Sequence, residues 1–326
     1  MMAPDISFII PVRNDEARLR RCLESIRTDA ESVAAEIIVA DNGSTDGSAE
    51  AARQAGATVV SLPDRPVADV RNAAVGLSGG ALIAFVDADH EIAPGWTRQA
   101  IALLRDPAVC GVGADYHAPP QGTWVQRMYD NFRTRAPHVT RVDWLPSGNL
   151  VVRRSAFDGV GGFDTRLESC EDVDFCRRLR EAGGHLLALD SLRSVHHGDP
   201  RSLRALFFAE LWRGRDNLRV TLRDRLTPRA AAGICLTIAY LLALGATAVG
   251  LLAWPLGGGI IVAAGLATVA LLTLLRAGRL LSRMPSSDRN GRHVLEAILV
   301  AVTYDTARAL ALVARVGHDV RRKAGR

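Results

Sequence analysis

Two aspartates one residue apart, Asp87 and Asp89, have the spacing in this sequence that most directly suggests chemistry. They follow the apolar run 81–86, which predicts a buried strand of a parallel sheet. Ligands bind at the carboxyl ends of such strands, where paired carboxylates can hold a divalent cation that in turn holds a diphosphate. Aspartates also cap turns and helices, so the pair alone supports a structural role equally well.

The loops after two other predicted strands carry polar residues of a similar kind. Pro11 and Arg13 end the first strand, and Asp41 follows the second, at the start of the turn-rich run 41–47. Loops that meet at one edge of a sheet could form a pocket for a base, a ribose and a metal-bound diphosphate. Helix capping or an Asx turn explains Asp41 and Asp46 as well as ligand contact does. Neither the dinucleotide motif GxGxxG nor the phosphate-binding motif GxxxxGKS/T occurs.

The elements that would position these residues alternate between strand and helix. Short apolar runs predict strands at 6–12, 36–40, 58–62 and 81–86, and stretches with helical spacing of apolar residues lie between them. This alternation predicts an α/β domain with a parallel, doubly wound sheet. Further strands are predicted at 109–114, 150–153 and 185–190. Residues 116–144 have no clean period, and either a substrate-facing insertion or a surface loop fits them.

Residues 230–275 form a stretch of 46 residues without Asp, Glu, Lys, Arg or His. Two membrane-spanning helices are predicted there, at 231–254 and 260–275, and a Pro/Gly-rich turn at 255–259 separates them. Arginines cluster before the first helix and after the second. This distribution predicts that both ends of the pair are cytoplasmic and that the turn lies outside.

The segments that flank this apolar block are basic. Residues 201–229 contain eight arginines and predict an interfacial helix beneath anionic lipid, although the arginines around Trp212 could instead contact the phosphate of a substrate. Residues 294–316 are apolar but include Glu296, Asp305 and Arg308, each of which costs about 2.5 to 3.5 kcal/mol at a bilayer centre. We therefore expect an interfacial or sheet-docked helix there rather than a third span.

Overall charge and cysteine usage narrow the class of protein further. The net charge of +5 comes almost entirely from arginine, with Lys323 as the single lysine, and no basic patch is interleaved with aromatic residues. This pattern favours attraction to a membrane surface over nucleic-acid binding. The five cysteines have no CxxC pair or other metal-binding spacing, so we expect them to be reduced, cytoplasmic apolar residues.

Five motifs occur in the order and approximate spacing of family 2 glycosyltransferases, which the chain resembles from residue 5 to about residue 200. The motifs are Phe8-Ile9-Ile10-Pro11-Val12-Arg13-Asn14, Ile38-Val39-Ala40-Asp41-Asn42-Gly43-Ser44-Thr45-Asp46, Ala68-Asp69-Val70-Arg71-Asn72, Phe85-Val86-Asp87-Ala88-Asp89 and Cys170-Glu171-Asp172-Val173-Asp174. The resemblance implies the GT-A fold and inverting sugar transfer from a nucleotide-sugar donor, with a UDP-sugar favoured, and a Mg²⁺ or Mn²⁺ ion. Asp41-Asn42 departs from the pair of aspartates in many relatives, which leaves the choice between uracil and guanine open.

The resemblance also implies roles for individual residues on the donor side. Pro11 and Arg13 would border the nucleotide pocket, Asp41 would accept a hydrogen bond from the base, Arg71 would approach the base or diphosphate, Asp87 would contact the ribose and metal, and Asp89 would bind the metal. From the residues alone, Arg71 fits a solvated helix face better than a ligand contact.

Inverting transfer also requires a base that removes the proton of the acceptor hydroxyl. The resemblance places this base in the pair Glu171 and Asp172, and we favour Asp172, with Glu171 contacting the acceptor or orienting the loop. Carboxylates in a first helical turn also have a structural explanation in the helix dipole. Either His196 or His197 would complete the metal site, whereas His90 is expected to face the pocket without binding the metal.

The sequence therefore predicts four regions. These are a GT-A glycosyltransferase domain at 1–200, a basic interfacial segment at 201–229, two transmembrane helices within 230–276, and a cytoplasmic or interfacial helix with a basic tail at 277–326. The predicted protein is a multi-pass enzyme of the cell (inner) membrane with a cytoplasmic catalytic domain, which transfers a sugar to a hydroxyl on a lipid or lipid-linked glycan. A sugar-nucleotide pyrophosphorylase and a non-catalytic, membrane-anchored sugar-nucleotide-binding protein are the alternatives.

Overall fold

The structure is a computed structural model that describes residues 3–133, 135–224 and 227–314. The predicted basic tail at Arg321, Arg322 and Lys323 lies outside the described residues, and so does the end of the helix predicted at 294–316. The chain divides into two compact units, one made of residues up to 119 together with 133–199, and the other of 120–132 together with the chain from 200 onward. Residues 120–132, which the sequence assigns to the first domain, thus belong to the second unit.

The first unit contains the strands and the shorter helices. Its strands are β1 (Ile6–Val12), β2 (Ala35–Asp41), β3 (Thr58–Ser61), β4 (Leu82–Val86), β5 (His90–Glu91), β6 (Val109–Gly113), β7 (Thr140–Val142), β8 (Asn149–Arg153), β9 (His185–Ala188) and β10 (Val195–His196). Its helices are α1 (Glu16–Asp29), α2 (Ser48–Gln54), α3 (Val67–Val75), α4 (Trp96–Leu103), α6 (Arg154–Gly159) and α7 (Glu171–Glu181), whereas α5 (Trp124–Asp130) lies in the second unit.

Among the described residues, eight strands form one sheet in the order β3-β2-β1-β4-β8-β6-β9-β7. The first four are parallel, as the alternation of strands and helices predicts, with Ile9 of β1 beside Ile38 of β2 and Phe85 of β4. Strand β8 runs antiparallel to both β4 and β6. The sheet is therefore mixed beyond β4, which the pattern of the first 90 residues did not indicate.

Strand β1 is central in this sheet and is buried on both faces. Phe8 and Ile10 join one apolar layer with helix α1, and Ile9 joins the other layer with helix α3. Successive side chains of a strand point to opposite faces, so an unbroken apolar run suits a strand that is covered by helices on both sides. This packing fixes the carboxyl ends of β1, β2 and β4, where the candidate residues follow.

The stretch 116–144 contains helix α5 and strand β7, so it is not a loop throughout, whereas its role as a substrate-facing insertion stays a prediction. Helix α5 begins with a capping box, in which the Thr123 side chain accepts from Gln126 N and the Gln126 side chain returns to Thr123 N. The helix has seven residues, so its apolar period is too short to be recognised in the sequence. Helix α6, of six residues, was missed for the same reason.

The second unit is helical in its described part. It contains α5, α8 (Leu203–Arg213), α9 (Asn217–Thr221), α10 (Pro228–Leu252), α11 (Gly259–Ser282) and α12 (Gly291–Leu310). The basic segment 201–229 therefore forms two helices before α10 rather than the single interfacial helix that the sequence suggests. Ser202 and Thr227 cap α8 and α10 through their side chains, which accounts for where these helices begin.

Two helices of the described chain, within Ala230–Leu252 and Gly259–Ser282, are long and apolar enough to cross a membrane. Only 17% and 22% of their most apolar windows are buried in the protein, whereas the core helix of a soluble protein would be mostly covered. Leu252 and Ile260, for example, are 86% and 82% exposed. Gly265 lets the two helices approach closely, because a Cβ there would lie 2.9 Å from Ala243 O.

Charged residues within the second unit form ion pairs. Glu210 is inaccessible to solvent; it accepts from Tyr129 Oη at 2.7 Å, from Arg213 Nη1 at 2.8 Å and from Arg308 Nε at 2.8 Å. Arg276, the first charged residue after the apolar block, donates to Asp305 Oδ1 at 2.6 Å. Two of the three polar residues that argue against a third span, Asp305 and Arg308, therefore connect α12 to α11 and α8, whereas Glu296 pairs with Arg292 within α12.

Candidate active site

The two aspartates after β4 lie in a tight turn that reverses the chain. His90 N donates to Asp87 O at 3.0 Å, so residues 87–90 close a four-residue turn. Asp87 N donates to Gly148 O at 3.3 Å, which joins this turn to the loop before β8. The turn presents the carboxylates of Asp87 and Asp89 and leads directly into the short strand β5.

Strand β5 pairs with β10 in a two-stranded antiparallel ribbon, and His196 lies opposite His90. His196 Nε2 lies 3.3 Å from Asp89 Oδ2, and His90 Nε2 lies 3.9 Å from Asp89 Oδ1. Asp89, His90 and His196 therefore form a cluster whose ligand atoms could all reach one metal ion. The next residue, His197, faces away from this cluster, because its Nε2 pairs with Glu91 Oε2 at 3.0 Å.

The charges in this cluster are strongly coupled. Burial disfavours the ionised form of Asp89, but His196, His90 and Arg18 outweigh burial and hold its pKa well below the usual range. Burial and the neighbouring His196 lower the pKa of His90 to about 4, so its imidazole is neutral at pH 7. Burial opposes protonation of His196, but Asp199 and Asp89 raise its pKa to about 9. The cluster thus offers one ionised carboxylate and one neutral imidazole directly.

Two observations fit the cluster to a divalent cation. His90 Nε2 is buried and, within the described chain, has no hydrogen-bond partner, so it can offer its lone pair when Nδ1 carries the proton and donates to Ser194 Oγ. His90 thus fits a metal site in which the sequence did not include it. Gly148 and Gly198 leave room beside the carboxylates, since a Cβ at Gly198 would overlap Asp89 Oδ2 and one at Gly148 would lie 2.6 Å from Asp87 Oδ2. Carboxylate oxygens and neutral imidazoles are ligands that Mn²⁺ accepts, and oxygens suit Mg²⁺.

Arg71 joins this cluster to the carboxylate pair at the start of α7. Its side chain is buried; Nη2 donates to Asp87 Oδ1 at 2.7 Å and Nη1 donates to Glu171 Oε1 at 2.8 Å. Burial opposes its charge, but the two carboxylates raise the pKa of Arg71 above its ordinary value. Arg71 is therefore not on a solvated helix face, the interpretation that the residues alone favour. Arg71 holds the Asp87 carboxylate through this hydrogen bond. Its approach to the base or diphosphate stays a prediction.

Asp172 lies beside Glu171 in the first turn of α7. Burial, and then the charge of Glu171, raise the pKa of Asp172 to about 7. Its Oδ2 accepts from Ser147 N at 3.3 Å and its Oδ1 from Val173 N at 2.8 Å. Cys170, immediately before the helix, has φ +58°, a strained value for a residue with a Cβ and one that is common beside functional sites. A carboxyl group with this pKa can take up a proton near neutral pH.

The loops after β1 and β2 are joined at the same sheet edge. Asn14 N donates to Ser44 Oγ at 2.9 Å, and Thr45 N donates to Asn14 Oδ1 at 2.6 Å. Asp41 is 7% exposed, and its Oδ1 accepts from Ser44 N, three residues on, at 3.0 Å, so this carboxylate stabilises the turn that follows β2. Asp46 accepts from Ser48 N and thus holds the start of α2.

Pro11 and Arg13 lie beside these joined loops. Pro11 is in β1 opposite Ala40, and Arg13 Nη2 forms an exposed ion pair with Asp64 Oδ1 at 3.0 Å. The structure therefore brings Pro11, Arg13 and Asp41 to one edge of the sheet. Their contact with a nucleotide stays a prediction.

Sequence reasoning missed several residues of the site. Arg18 lies 4.0 Å from Asp89 Oδ2 through Nη1, Ser147 Oγ lies 3.4 Å from Glu171 Oε1, and Asp199 contacts His196. Arg18 lies in helix α1 and Asp199 in the loop after β10, and neither residue belongs to a recognisable sequence motif. The pattern Ser147-Gly148-Asn149 before a strand was visible, but only the close approach of Gly148 to Asp87 shows its importance.

Comparison with known proteins shows which enzymes this chain is related to. Residues 7–161 match the model of the family described as glycosyl transferase family 2. The chain is also 30% identical over 256 residues to an N-acetylglucosaminyl-diphospho-decaprenol L-rhamnosyltransferase of Mycobacterium tuberculosis, an alignment that covers 60% of this chain and 81% of the relative. The chain belongs to glycosyl transferase family 2. It is therefore an enzyme, as the motifs predicted, and both the pyrophosphorylase and the non-catalytic alternatives are set aside.

A second relative and a solved structure are also similar to this chain. Glycosyltransferase AglE of Haloferax volcanii is 28% identical over 251 residues, which cover 72% of this chain and 80% of AglE. A mannosyltransferase of Pyrobaculum calidifontis, solved with GDP-Man and Mn²⁺, superposes with a TM-score of 0.56 at 18% identity over 93% of this chain and 87% of that one. At this identity the likeness shows the fold, which is the GT-A fold that the family resemblance implied.

Proposed function

We propose that this family 2 enzyme is a membrane-bound, inverting and metal-dependent glycosyltransferase that acts at the cytoplasmic face of the inner membrane. It transfers a sugar from a nucleotide-sugar donor to a hydroxyl group of a lipid or lipid-linked glycan. The observation that carries the proposal is the contrast between the surroundings of two carboxylates. Asp89 lies 3.3 Å from His196 and 4.0 Å from Arg18, which favour its ionised form, whereas Asp172 lies beside Glu171, which together with burial raises the pKa of Asp172 to about 7. Environments that separate two carboxyl groups in this way are typical of sites with one electrostatic group and one acid–base group.

On the donor side, Asp87, Asp89, His90 and His196 would hold a Mg²⁺ or Mn²⁺ ion. When bound, the ion neutralises charge on the departing diphosphate. Asp89 supplies the ionised carboxylate, and Arg71 keeps Asp87 in place through its bond to Oδ1. His197 is not included in this set, because it pairs with Glu91. The joined loops that carry Pro11, Arg13 and Asp41 would receive the nucleoside, for which a UDP-sugar is the first choice.

On the acceptor side, Asp172 would remove the proton from the attacking hydroxyl. Single displacement at the anomeric carbon breaks the bond to the diphosphate as the acceptor oxygen bonds to the opposite face of the sugar, so no nucleophilic side chain is needed. Glu171 is held by Arg71 and Ser147, and it is therefore a positioning group with less freedom to accept this proton. Its negative charge keeps the proton affinity of Asp172 high.

A lipid-linked acceptor is supported by two features. The named substrate of the mycobacterial relative is a diphospho-decaprenol carrying N-acetylglucosamine. The helices Ala230–Leu252 and Gly259–Ser282 would anchor this chain in the membrane where such lipids lie, and the arginines on either side would remain in the cytoplasm. A membrane-bound enzyme that takes a soluble donor and a lipid acceptor accounts for both features.

The proposal is tested with full-length enzyme in detergent. Thermal unfolding is measured with a panel of UDP-, GDP- and dTDP-sugars, with and without Mn²⁺; a donor at 100 times its Kd would stabilise the protein by about 2.7 kcal/mol. Radiolabel from the donor that binds is then followed into the lipid fraction of membranes. We expect D89A to lose donor stabilisation and transfer, and D172N to lose transfer while keeping donor stabilisation. Wild-type transfer by both variants would contradict the proposal.

A further inference from the structure

Asp199 is a buried carboxylate that none of the family motifs includes. Its side chain is inaccessible to solvent; Oδ1 accepts from His196 Nδ1 and lies 2.7 Å from it. The same oxygen lies 2.5 Å from Arg133 Nη2. Arg133 is itself buried, with its guanidinium 5.3 Å from the centre of the Tyr116 ring.

The contact with Asp199 determines how His196 can act. A histidine has two ring nitrogens, and the partner of one determines which face of the ring is left for a ligand. With Nδ1 donating to Asp199, the remaining nitrogen, Nε2, faces Asp89 Oδ2 at 3.3 Å and the backbone of Gly198. Nε2 is therefore the atom that would bind a metal ion at this site, and binding would displace its proton.

Both histidines of the cluster direct Nε2 toward Asp89, but the partners of their Nδ1 atoms differ. His90 Nδ1 pairs with the neutral hydroxyl of Ser194 at 2.7 Å, whereas His196 Nδ1 pairs with a carboxylate. A carboxylate behind a metal-binding histidine raises the basicity of the imidazole and fixes its ring, and the loss of such a partner typically costs 10- to 100-fold in metal affinity. Arg133 holds the carboxylate of Asp199 in place from the other side.

We propose that Asp199, itself held by Arg133, is a positioning residue that orients His196 Nε2 toward Asp89 and thereby sets the affinity of the site for its divalent cation. The proposal rests on the metal-dependent function proposed above. Arg133 lies in the stretch 116–144, for which the sequence left two interpretations open. The proposal gives Arg133 the role of holding Asp199. The alternative is that Asp199 only neutralises the buried Arg133 and does not affect metal binding.

Two variants separate these explanations. D199N keeps the size of the side chain but removes its charge, and it leaves Arg133 with the more distant carboxylate of Asp115, 4.0 Å from its Nε. The double variant D199N/R133Q removes both charges of the buried pair, so it replaces the single variant if the loss of Asp199 beside Arg133 prevents D199N from folding. S194A is the matched comparison, because it removes the neutral partner of the other histidine.

The readout is the Kd of Mn²⁺ for full-length protein in detergent, measured without donor from the EPR signal of free Mn²⁺. We expect D199N and D199N/R133Q to bind Mn²⁺ 10- to 100-fold more weakly than wild type, and S194A to lose less. Thermal unfolding of the metal-free proteins checks that each variant is folded. Wild-type Mn²⁺ affinity in folded D199N/R133Q would overturn the role of Asp199 alone, whereas a wild-type protein that binds no Mn²⁺ would overturn the metal-dependent function as well.

Discussion

Asp89 and Asp172 are both largely enclosed carboxyl groups, and their neighbours determine which of them can exchange a proton at neutral pH. Asp89 faces two histidines and Arg18, which outweigh the cost of burial. The nearest strong influence on Asp172 is the like charge of Glu171, which adds to the effect of burial. In the proposed reaction, leaving-group stabilisation and proton removal therefore fall to different residues.

The proposed base predicts the pH dependence of transfer. Asp172 accepts a proton only when ionised, so kcat/KM should rise as the pH passes through about 7 and then level off. D172N removes the base, and we expect kcat to fall by about 10²- to 10⁴-fold and the rise near pH 7 to disappear. The measurement is the initial rate from pH 5.5 to 8.5 with saturating metal. An unchanged midpoint in D172N would show that another group is titrated.

E171Q provides a second, directional test of the same pair. Loss of the neighbouring negative charge makes ionisation of Asp172 easier, so the midpoint of the pH profile should move to lower pH. The variant also removes one charged partner of Arg71, whereas the bond from Arg71 to Asp87 remains possible. A midpoint that moves upward or stays in place would contradict the electrostatic coupling of the two carboxylates.

The close approach of Gly198 to Asp89 predicts that the metal site tolerates no side chain at position 198. In G198A the added Cβ would overlap Asp89 Oδ2 and lie 3.0 Å from His196 Nε2, so we expect loss of Mn²⁺ stabilisation in thermal unfolding and at least about a 100-fold loss of transfer. G159A is the matched control, since a Cβ at Gly159 meets no atom within 4 Å. Normal Mn²⁺ stabilisation of G198A would mean that the metal lies elsewhere.

At the scale of elements, the sequence predicts those whose pattern is local. Strands β1, β2 and β4 are short, buried apolar runs, and helix α1 has apolar residues at helical spacing, so periodicity suffices for them. The seven-residue helix α2 is indicated instead by the turn residues that precede it. The membrane helices α10 and α11 are recognisable because no charge interrupts them. Short elements such as α5 and β7 are held by capping and by long-range pairing, respectively, which a local pattern does not reveal.

The candidate site shows the same division. The motifs brought Asp87, Asp89 and the pair at the start of α7 to attention, because each follows a recognisable element. The choice between His196 and His197 depends on the register of β10 against β5, which joins residues more than 100 positions apart. Likewise, the burial of Arg71 depends on carboxylates from two distant segments. Pairing of this kind follows from the assembled fold and not from the spacing of residues.

The buried ion pairs of Glu210 predict that this residue stabilises the helical unit. Burial opposes its charge, but Arg308 and Arg213 lower the pKa of Glu210 to about 2, so its contribution is present above about pH 4.5 and is lost as the pH falls toward 2. E210Q leaves two arginines without this carboxylate, and we expect the free energy of unfolding to fall by about 3 to 5 kcal/mol at pH 7. The check is thermal or denaturant unfolding in detergent.

Arg292 provides the control for this prediction. It pairs with Glu296 at 2.8 Å, but its side chain is 72% exposed, and exposed pairs contribute only about 0 to 1 kcal/mol. R292Q should therefore unfold nearly as the wild type does. Equal losses in E210Q and R292Q would show that burial of the ion pair does not determine its contribution.

At the scale of the whole molecule, the position of the arginines relative to the apolar helices determines the expected topology. The segment before α10 and the end of α11 are both rich in arginine, whereas the turn at Trp254–Leu256 carries no charge. Cytoplasmic loops of membrane proteins are enriched in arginine, so the uncharged turn should lie on the opposite side of the membrane from the cytoplasm. Helix α12 would then follow on the cytoplasmic side; its residues Asp305 and Arg308 pair with Arg276 of α11 and Glu210 of α8.

Cysteine labelling in intact cells tests this arrangement. Leu256, in the turn, is 89% exposed, and Ser287, between α11 and α12, is also exposed, so a cysteine at either position can react. In a background that lacks the exposed Cys235, we expect L256C to react with a membrane-impermeant maleimide in intact cells, and S287C to react only after the inner membrane is opened. The opposite pattern would place the residues that flank the hairpin outside, away from cytoplasmic nucleotide sugars. Because the proposed reaction draws its donor from the cytoplasm, that result would contradict the proposed membrane face while leaving the chemistry of the site intact.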